Sequence, residues 1–128
     1  MNNILKKIIT LSLFLVLPFC GAYAQTTYSG AEVTQKVIYQ NQSKNTVTVT
    51  SIQSNTQNGL LNIRADVLNN SAQKVHLYYR ALWRNAQGQQ LNADAWKPIL
   101  LLPNKSSSIN ATAPLTNATD FALEIKTD

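Results

Sequence analysis

Among 128 residues there is one cysteine, one histidine, four glycines and four prolines. A single cysteine, Cys20, excludes a disulfide within the chain and a thiolate cluster for zinc. A single histidine, His76, leaves little material for a metal centre or a histidine-based triad. Charge is sparse as well. Eleven lysines and arginines face six acidic residues, a net charge of +5 for the whole chain. The basic residues are scattered, whereas capture of a nucleic acid calls for a clustered basic face. Only one long apolar run is present, and it lies at the N-terminus.

That run fixes the expected compartment. MNNILKK carries Lys6 and Lys7, IITLSLFLVL follows without charge, and Pro18 ends it before GAYA. Positive, apolar and small-residue segments in that order predict a secretory signal peptide. The apolar core is too short for a membrane span, which takes about 20 residues. Ala22 and Ala24 flank Tyr23 in an A-x-A-like site, so cleavage is expected after Ala24, giving a signal peptide over 1–24 and a periplasmic chain. Removing Lys6 and Lys7 takes the basic residues from 11 to 9 against 6 acidic ones, a net charge of +3. The alternative, lipid attachment at Cys20, requires small residues where Pro18 and Phe19 stand. Cys20 is therefore expected to leave with the signal peptide, and no membrane span to remain.

Beyond the leader, residues 25–45 are polar, with one alternating piece, EVTQKVIYQ, that reads as a weak first strand through Val33, Val37 and Tyr39. The domain proper is expected over 46–128. TVTVTSIQ (46–53) is rich in β-branched residues and SNTQNG (54–59) ends in Asn-Gly, the strongest short hairpin signal. LLNIRADVL (60–68) alternates Leu61, Ile63, Ala65 and Val67 with Asn62, Arg64 and Asp66, as a half-exposed antiparallel strand does. KVHLYYRALWR (74–84) puts Val75, Leu77, Tyr79, Ala81 and Trp83 on one side. Gly88 supplies the next loop with a residue free to take positive φ. Pro98 in WKPILLL predicts an edge strand or one that starts after the proline. SSINATA and FALEIKT complete the set, and no segment reads as an amphipathic helix. Strands of this length and spacing predict an all-β, immunoglobulin-like antiparallel β-sandwich, with Trp83 as a large core anchor.

An ordered set of residues over about 60–126 then resembles the YcfL-like family of small bacterial envelope proteins. The set is Asn69 in a turn, Tyr79-Arg80 followed by Trp83, Gly88, Trp96, Pro103, Ala113-Pro114 and Phe121. The resemblance implies an immunoglobulin-like sandwich, export across the inner membrane and no established activity. Members are often lipoproteins, a pattern from which Phe19 departs here. Some are encoded beside factors for cell-wall synthesis, which hints at partners.

The residues offer little chemistry. His76 stands beside Tyr78 on a strand and reads as a solvated histidine, not as a metal ligand. No G-x-S-x-G elbow surrounds any serine. The carboxylates Glu32, Asp66, Asp94, Asp120, Glu124 and Asp128 sit in no distinctive motif for acid–base work. No catalytic, cofactor or metal residue is therefore expected, and the chain is read as a non-enzymatic interaction module that binds another envelope protein. Its candidate binding residues are Tyr78, Arg80 and Arg84 on the outward face of the long strand, with Trp96 after the next loop. Tyrosine, tryptophan and arginine are the types that concentrate binding energy at interfaces. The same residues could instead stabilise the sheet, Arg80 lying over Tyr78 or pairing with Asp66 and Trp96 capping the sandwich. A second function class also stays open: a carbohydrate- or peptidoglycan-binding module stacking sugars on Trp96 and Tyr78. An open aromatic face is what separates the two.

Overall fold

Asn58 and Gly59 both take left-handed backbone (φ 53° and 78°), and this two-residue turn closes the longest hairpin among the described residues. Such a turn matches the right-handed twist of the strands it joins. The hairpin is made by β3 (Val47–Gln57) and β4 (Leu60–Asn69). In the computed structural model, which describes residues 24–128, these strands belong to a sandwich of two sheets. Its remaining elements are β1 (Gln25–Tyr28), α1 (Ala31–Lys36), β2 (Val37–Tyr39), a 3₁₀ turn (Ser43–Asn45), β5 (Val75–Arg84), β6 (Gln90–Ala93), β7 (Lys97–Leu101), β8 (Ser106–Thr112) and β9 (Asp120–Thr127). The expected leader up to Tyr23, with Cys20, lies outside the described residues.

One sheet runs β1-β3-β4-β8 and is antiparallel throughout. The other runs β2-β9-β5-β6, with β7 also on β5. Here the structure corrects the antiparallel expectation, because β2 lies parallel to β9, pairing Val37 with Leu123 and Tyr39 with Ile125. A second correction concerns EVTQKVIYQ. Its first part is a helix, α1, which buries Val33. At six residues it is too short to show the 3.6-residue period, and Val33, Val37 and Tyr39 fit a strand parity by coincidence. Residues 25–45 thus pair with both sheets. Ser43, buried, adds a hydroxyl bond to the Ile125 carbonyl (3.3 Å).

The inward parities meet between the sheets. Val47, Ile52 and Val67 from one face Leu77, Trp83, Leu101, Phe121, Leu123 and Ile125 from the other, all enclosed. In β3 the inward positions switch from Val47 and Val49 to Ile52 and Ser54. A register shift between Val49 and Ser51 causes this, the extra residue of a β-bulge turning the following side chains over. The Val49 amide at the bulge donates to the Tyr39 hydroxyl (2.9 Å), so β2 serves the irregularity in the opposite sheet. Pro98 sits inside β7 at the margin of its sheet, the edge position its missing N–H requires.

Candidate functional site

β9 departs from simple alternation: Phe121 to Ile125 are all buried. The outer face of its sheet is therefore covered as well as the inner one. At the centre of that outer face lies Glu124, 5% exposed. Cross-strand pairing sets it opposite Arg80 of β5 and Ile38 of β2. Arg80 Nε donates to Glu124 Oε1 at 2.5 Å, and the Gln40 side-chain amide donates to Oε2. A carboxylate this enclosed must be paired, and both its oxygens are.

Trp96 completes the cluster. It follows β6 and precedes β7, so the chain carries it back across the outer face of the sheet. Its ring lies 4.4 Å from the Arg80 guanidinium carbon and 4.2 Å from Lys126 Nζ. Lys126 Nζ is also 5.8 Å from the centroid of Tyr78, its cross-strand neighbour. Cations near aromatic faces contribute about 0.5–2 kcal/mol each according to exposure. Tyr78, Arg80 and Trp96 are all half-buried, and His76 at the rim is exposed.

The structure thus brings together three of the four residues expected at a binding surface. Arg84 stands apart. Four residues further along β5 it lies roughly 13 Å from Arg80, opposite Asp120. Shared parity gave it the same face without the same neighbourhood. The expected alternative partner of Arg80 also changes: Asp66 lies in the other sheet, where its carboxylate accepts from Ser51 and Ser108. Lys126, Glu124 and Gln40 were not read as site residues. The signal for Glu124 was present, a carboxylate flanked by buried alternation in FALEIKT. Its partner could not be read, because 44 residues separate it from Arg80.

Around Asp120 the electrostatics are different. Partial burial pushes its carboxyl up, but the Lys36 hydrogen bond, the Phe121 amide and the charges of Lys36 and Arg84 outweigh this and hold it below the usual carboxylate value. A depressed carboxyl contributes stability above its unfolded pKa of about 3.9, and loses it as pH falls through the folded value. Asp120→Asn is therefore expected to lower the urea midpoint at pH 7 and to converge with the wild type near pH 2. A constant offset across that range would show that the carboxylate is not linked to folding.

Among the described residues no group of three or more His, Cys, Asp or Glu side chains could hold a metal, and no helix is long and apolar enough to cross a membrane. One depression of about 220 Å³ lies on the opposite sheet and is lined by Gln25, Gln53, Asn55, Asn62, Arg64 and Asn110 among others, and another of about 230 Å³ lies beside Thr46, Lys74, His76 and Thr127.

Two solved structures are similar in fold. The Campylobacter jejuni protein cj0090 matches with a TM-score of 0.59 at 23% identity, over 73% of this chain and 98% of its own. A DUF1425 family member from Shewanella sp. pv-4 matches with a TM-score of 0.57 at 21% identity, over 62% of this chain and 75% of its own. Comparison with curated proteins gave no match. The model of the family described as "Protein of unknown function (DUF1425)" matches residues 34–127. Covering most of the chain, that match makes this protein a member of the DUF1425 family.

Proposed function

We infer that the chain is a non-enzymatic interaction module of the bacterial envelope, exported by the leader over 1–24 and cut after Ala24, with an immunoglobulin-like sandwich as its scaffold. The resemblance to the YcfL-like family points the same way. Its binding surface is the outer face of the β2-β9-β5-β7 sheet, centred on Tyr78 and Trp96. The observation that carries this reading is the crowding of Trp96, half-buried with Arg80 and Lys126 within 4.4 Å of its ring centroid. Sugar stacking needs an open ring face, and two cations this close compete with a sugar for it. A protein partner needs no open ring. It can meet Tyr78, Lys126, His76 and the exposed Leu100 as a mixed aromatic, basic and apolar patch. The basic groups favour an acidic surface on that partner.

Arg80 belongs to the support of this patch. Removing it would leave Glu124 enclosed with only the Gln40 amide, so Arg80 variants confuse folding with binding. The test uses a photo-crosslinking side chain at His76 in living cells, in the wild-type background and with Tyr78→Ala/Lys126→Ala. The expected result is an adduct with a second envelope protein that the double variant, folded by circular dichroism, reduces by about tenfold, or 1.4 kcal/mol. Equal adduct yield in both backgrounds would place the interface elsewhere.

A further inference from the structure

Edge strands expose unpaired N–H and C=O groups, and proteins protect them by shortness, bulges, lysine or proline. Most margins of this sandwich follow that rule. β1 has four residues and β2 has three. β6 has four and meets β5 through a register shift at Trp83/Arg84. β7 carries Lys97 and Pro98. β8 has no such protection. Its seven residues, SSSINAT, contain no charge, proline or glycine, and it pairs with β4 without a register shift.

The direction of its free groups follows from two hydrogen bonds. The Asn69 amide donates to the Lys105 carbonyl (3.0 Å), and the Ala113 amide donates to the Leu61 carbonyl (2.8 Å). Odd-numbered positions along β8 therefore face β4, and alternate residues of an antiparallel strand face the other way. The backbone groups of Ser106, Ser108, Asn110 and Thr112 point to the open side, and all four residues are exposed. Among the described residues no strand pairs there.

We propose that β8 pairs antiparallel with the β8 strand of a second copy of this chain, about a twofold axis at Ile109, fusing two four-stranded sheets into one. Ile109 is the middle residue of the strand, so this register uses its whole length. Ser108 then meets the partner's Asn110, and Ser106 meets the partner's Thr112, outward group to outward group. Antiparallel self-pairing sets a strand against itself, so a charged edge would repel its copy, and β8 carries no charge. The neighbouring strand supplies complementarity. Arg64 lies opposite Asn110 and Asp66 opposite Ser108. The same register puts Arg64 in one cross-strand row with the partner's Asp66, and the reverse holds across the axis. Within each chain Ser108 at the seam already links Arg64 to Asp66, its hydroxyl accepting from Arg64 Nη2 (3.1 Å) and donating to Asp66 Oδ1 (2.9 Å). This dimer uses the sheet opposite Tyr78 and Trp96 and stands independently of the function proposed for them.

Sedimentation equilibrium of the protein as the cell produces it decides the matter. The wild type is expected to show a monomer–dimer equilibrium. Asn110→Pro removes an N–H that points away from β4, a position where an edge strand tolerates proline. It is expected to raise the dimer Kd by about tenfold or more, with unchanged circular dichroism. Arg64→Glu should weaken the dimer, and Arg64→Glu/Asp66→Arg should restore it, which keeps the register testable even if the proline variant fails to fold. A wild type that stays monomeric up to about 300 µM, where only interactions weaker than about 5 kcal/mol escape detection, overturns the proposal. So does a dimer indifferent to all three variants. A monomer whose position 110 crosslinks to a different protein overturns it too, by making β8 the seat of a foreign strand.

Discussion

Trp83→Ala is expected to destabilise the protein by about 3–5 kcal/mol, the range for deleting a large buried aromatic. The indole is 0% exposed, the largest fully enclosed side chain among the described residues. It stands opposite Phe121 in the β5–β9 ladder, where the inner faces of the two sheets converge. Its Nε1–H donates to Asp94 Oδ1 at 2.9 Å, so the same residue fills the core and holds the connection from β6 to β7. Truncation would open a cavity and leave the Asp94 carboxylate without that donor. Trp83→Phe keeps a six-membered ring in the core and removes the hydrogen bond with the pyrrole part of the indole, so its loss should be smaller than that of alanine, at about 1–3 kcal/mol. Guanidinium unfolding followed by far-ultraviolet circular dichroism measures both. A loss below about 1 kcal/mol for the alanine variant would contradict an enclosed indole.

The second large effect is expected at Asn69, where Asn69→Ala should cost about 2–4 kcal/mol through orphaned polar groups. Asn69 is the last residue of β4 and is 0% exposed. Its side-chain amide donates to the carbonyls of Gln73 (2.7 Å) and Leu102 (3.0 Å), and its carbonyl accepts from the Ser71 amide (2.9 Å) and hydroxyl (2.8 Å). One side chain thus fixes the loop that carries the chain from the first sheet to the second, and ties it to the turn after β7. Alanine leaves those groups without partners where water reaches them poorly. Asn69→Asp has the same shape but turns the donor into an acceptor against two carbonyl oxygens, so it should be no better. Equilibrium unfolding in urea would compare them with Ser71→Ala, whose smaller loss isolates the turn alone. An alanine variant within about 0.5 kcal/mol of the wild type would mean the loop closes without this residue.

Asn69 and Glu124 show where sequence reading stops. Asn69 is visible in the sequence as part of an Asn-Asn-Ser turn, and its polarity suggests exposure. Only the crossing of β4 and β7 ends encloses it. Glu124 lies within a strand whose Phe121, Leu123 and Ile125 are readable as inward. That parity leaves Glu124 facing outward, where a carboxylate is ordinarily solvated. The outer face is covered because Gln40, Arg80 and Trp96 arrive from three other elements. Arg84 shows the converse, a residue correctly placed on a face but too far along the strand to join the cluster.

The sequence by itself determined the periodicities, the Asn58-Gly59 hairpin and the inward set that includes Trp83 and Phe121, and it narrowed Pro98 to an edge strand or a strand start. These are local properties: strand parity depends on residues two apart, and a turn depends on which residues tolerate left-handed backbone. Only the tertiary structure decided that Val33 lies on a helix, that β2 runs parallel to β9, and which residues share the outer face with Tyr78. Those outcomes depend on contacts between residues well separated in sequence, from Arg80 and Trp96 to Val37 and Leu123, and single-sequence periodicity carries no term for which strands become neighbours. The composition of β8 was equally legible from the start. Its lack of charge and proline acquires meaning only because the topology leaves that strand at an open edge.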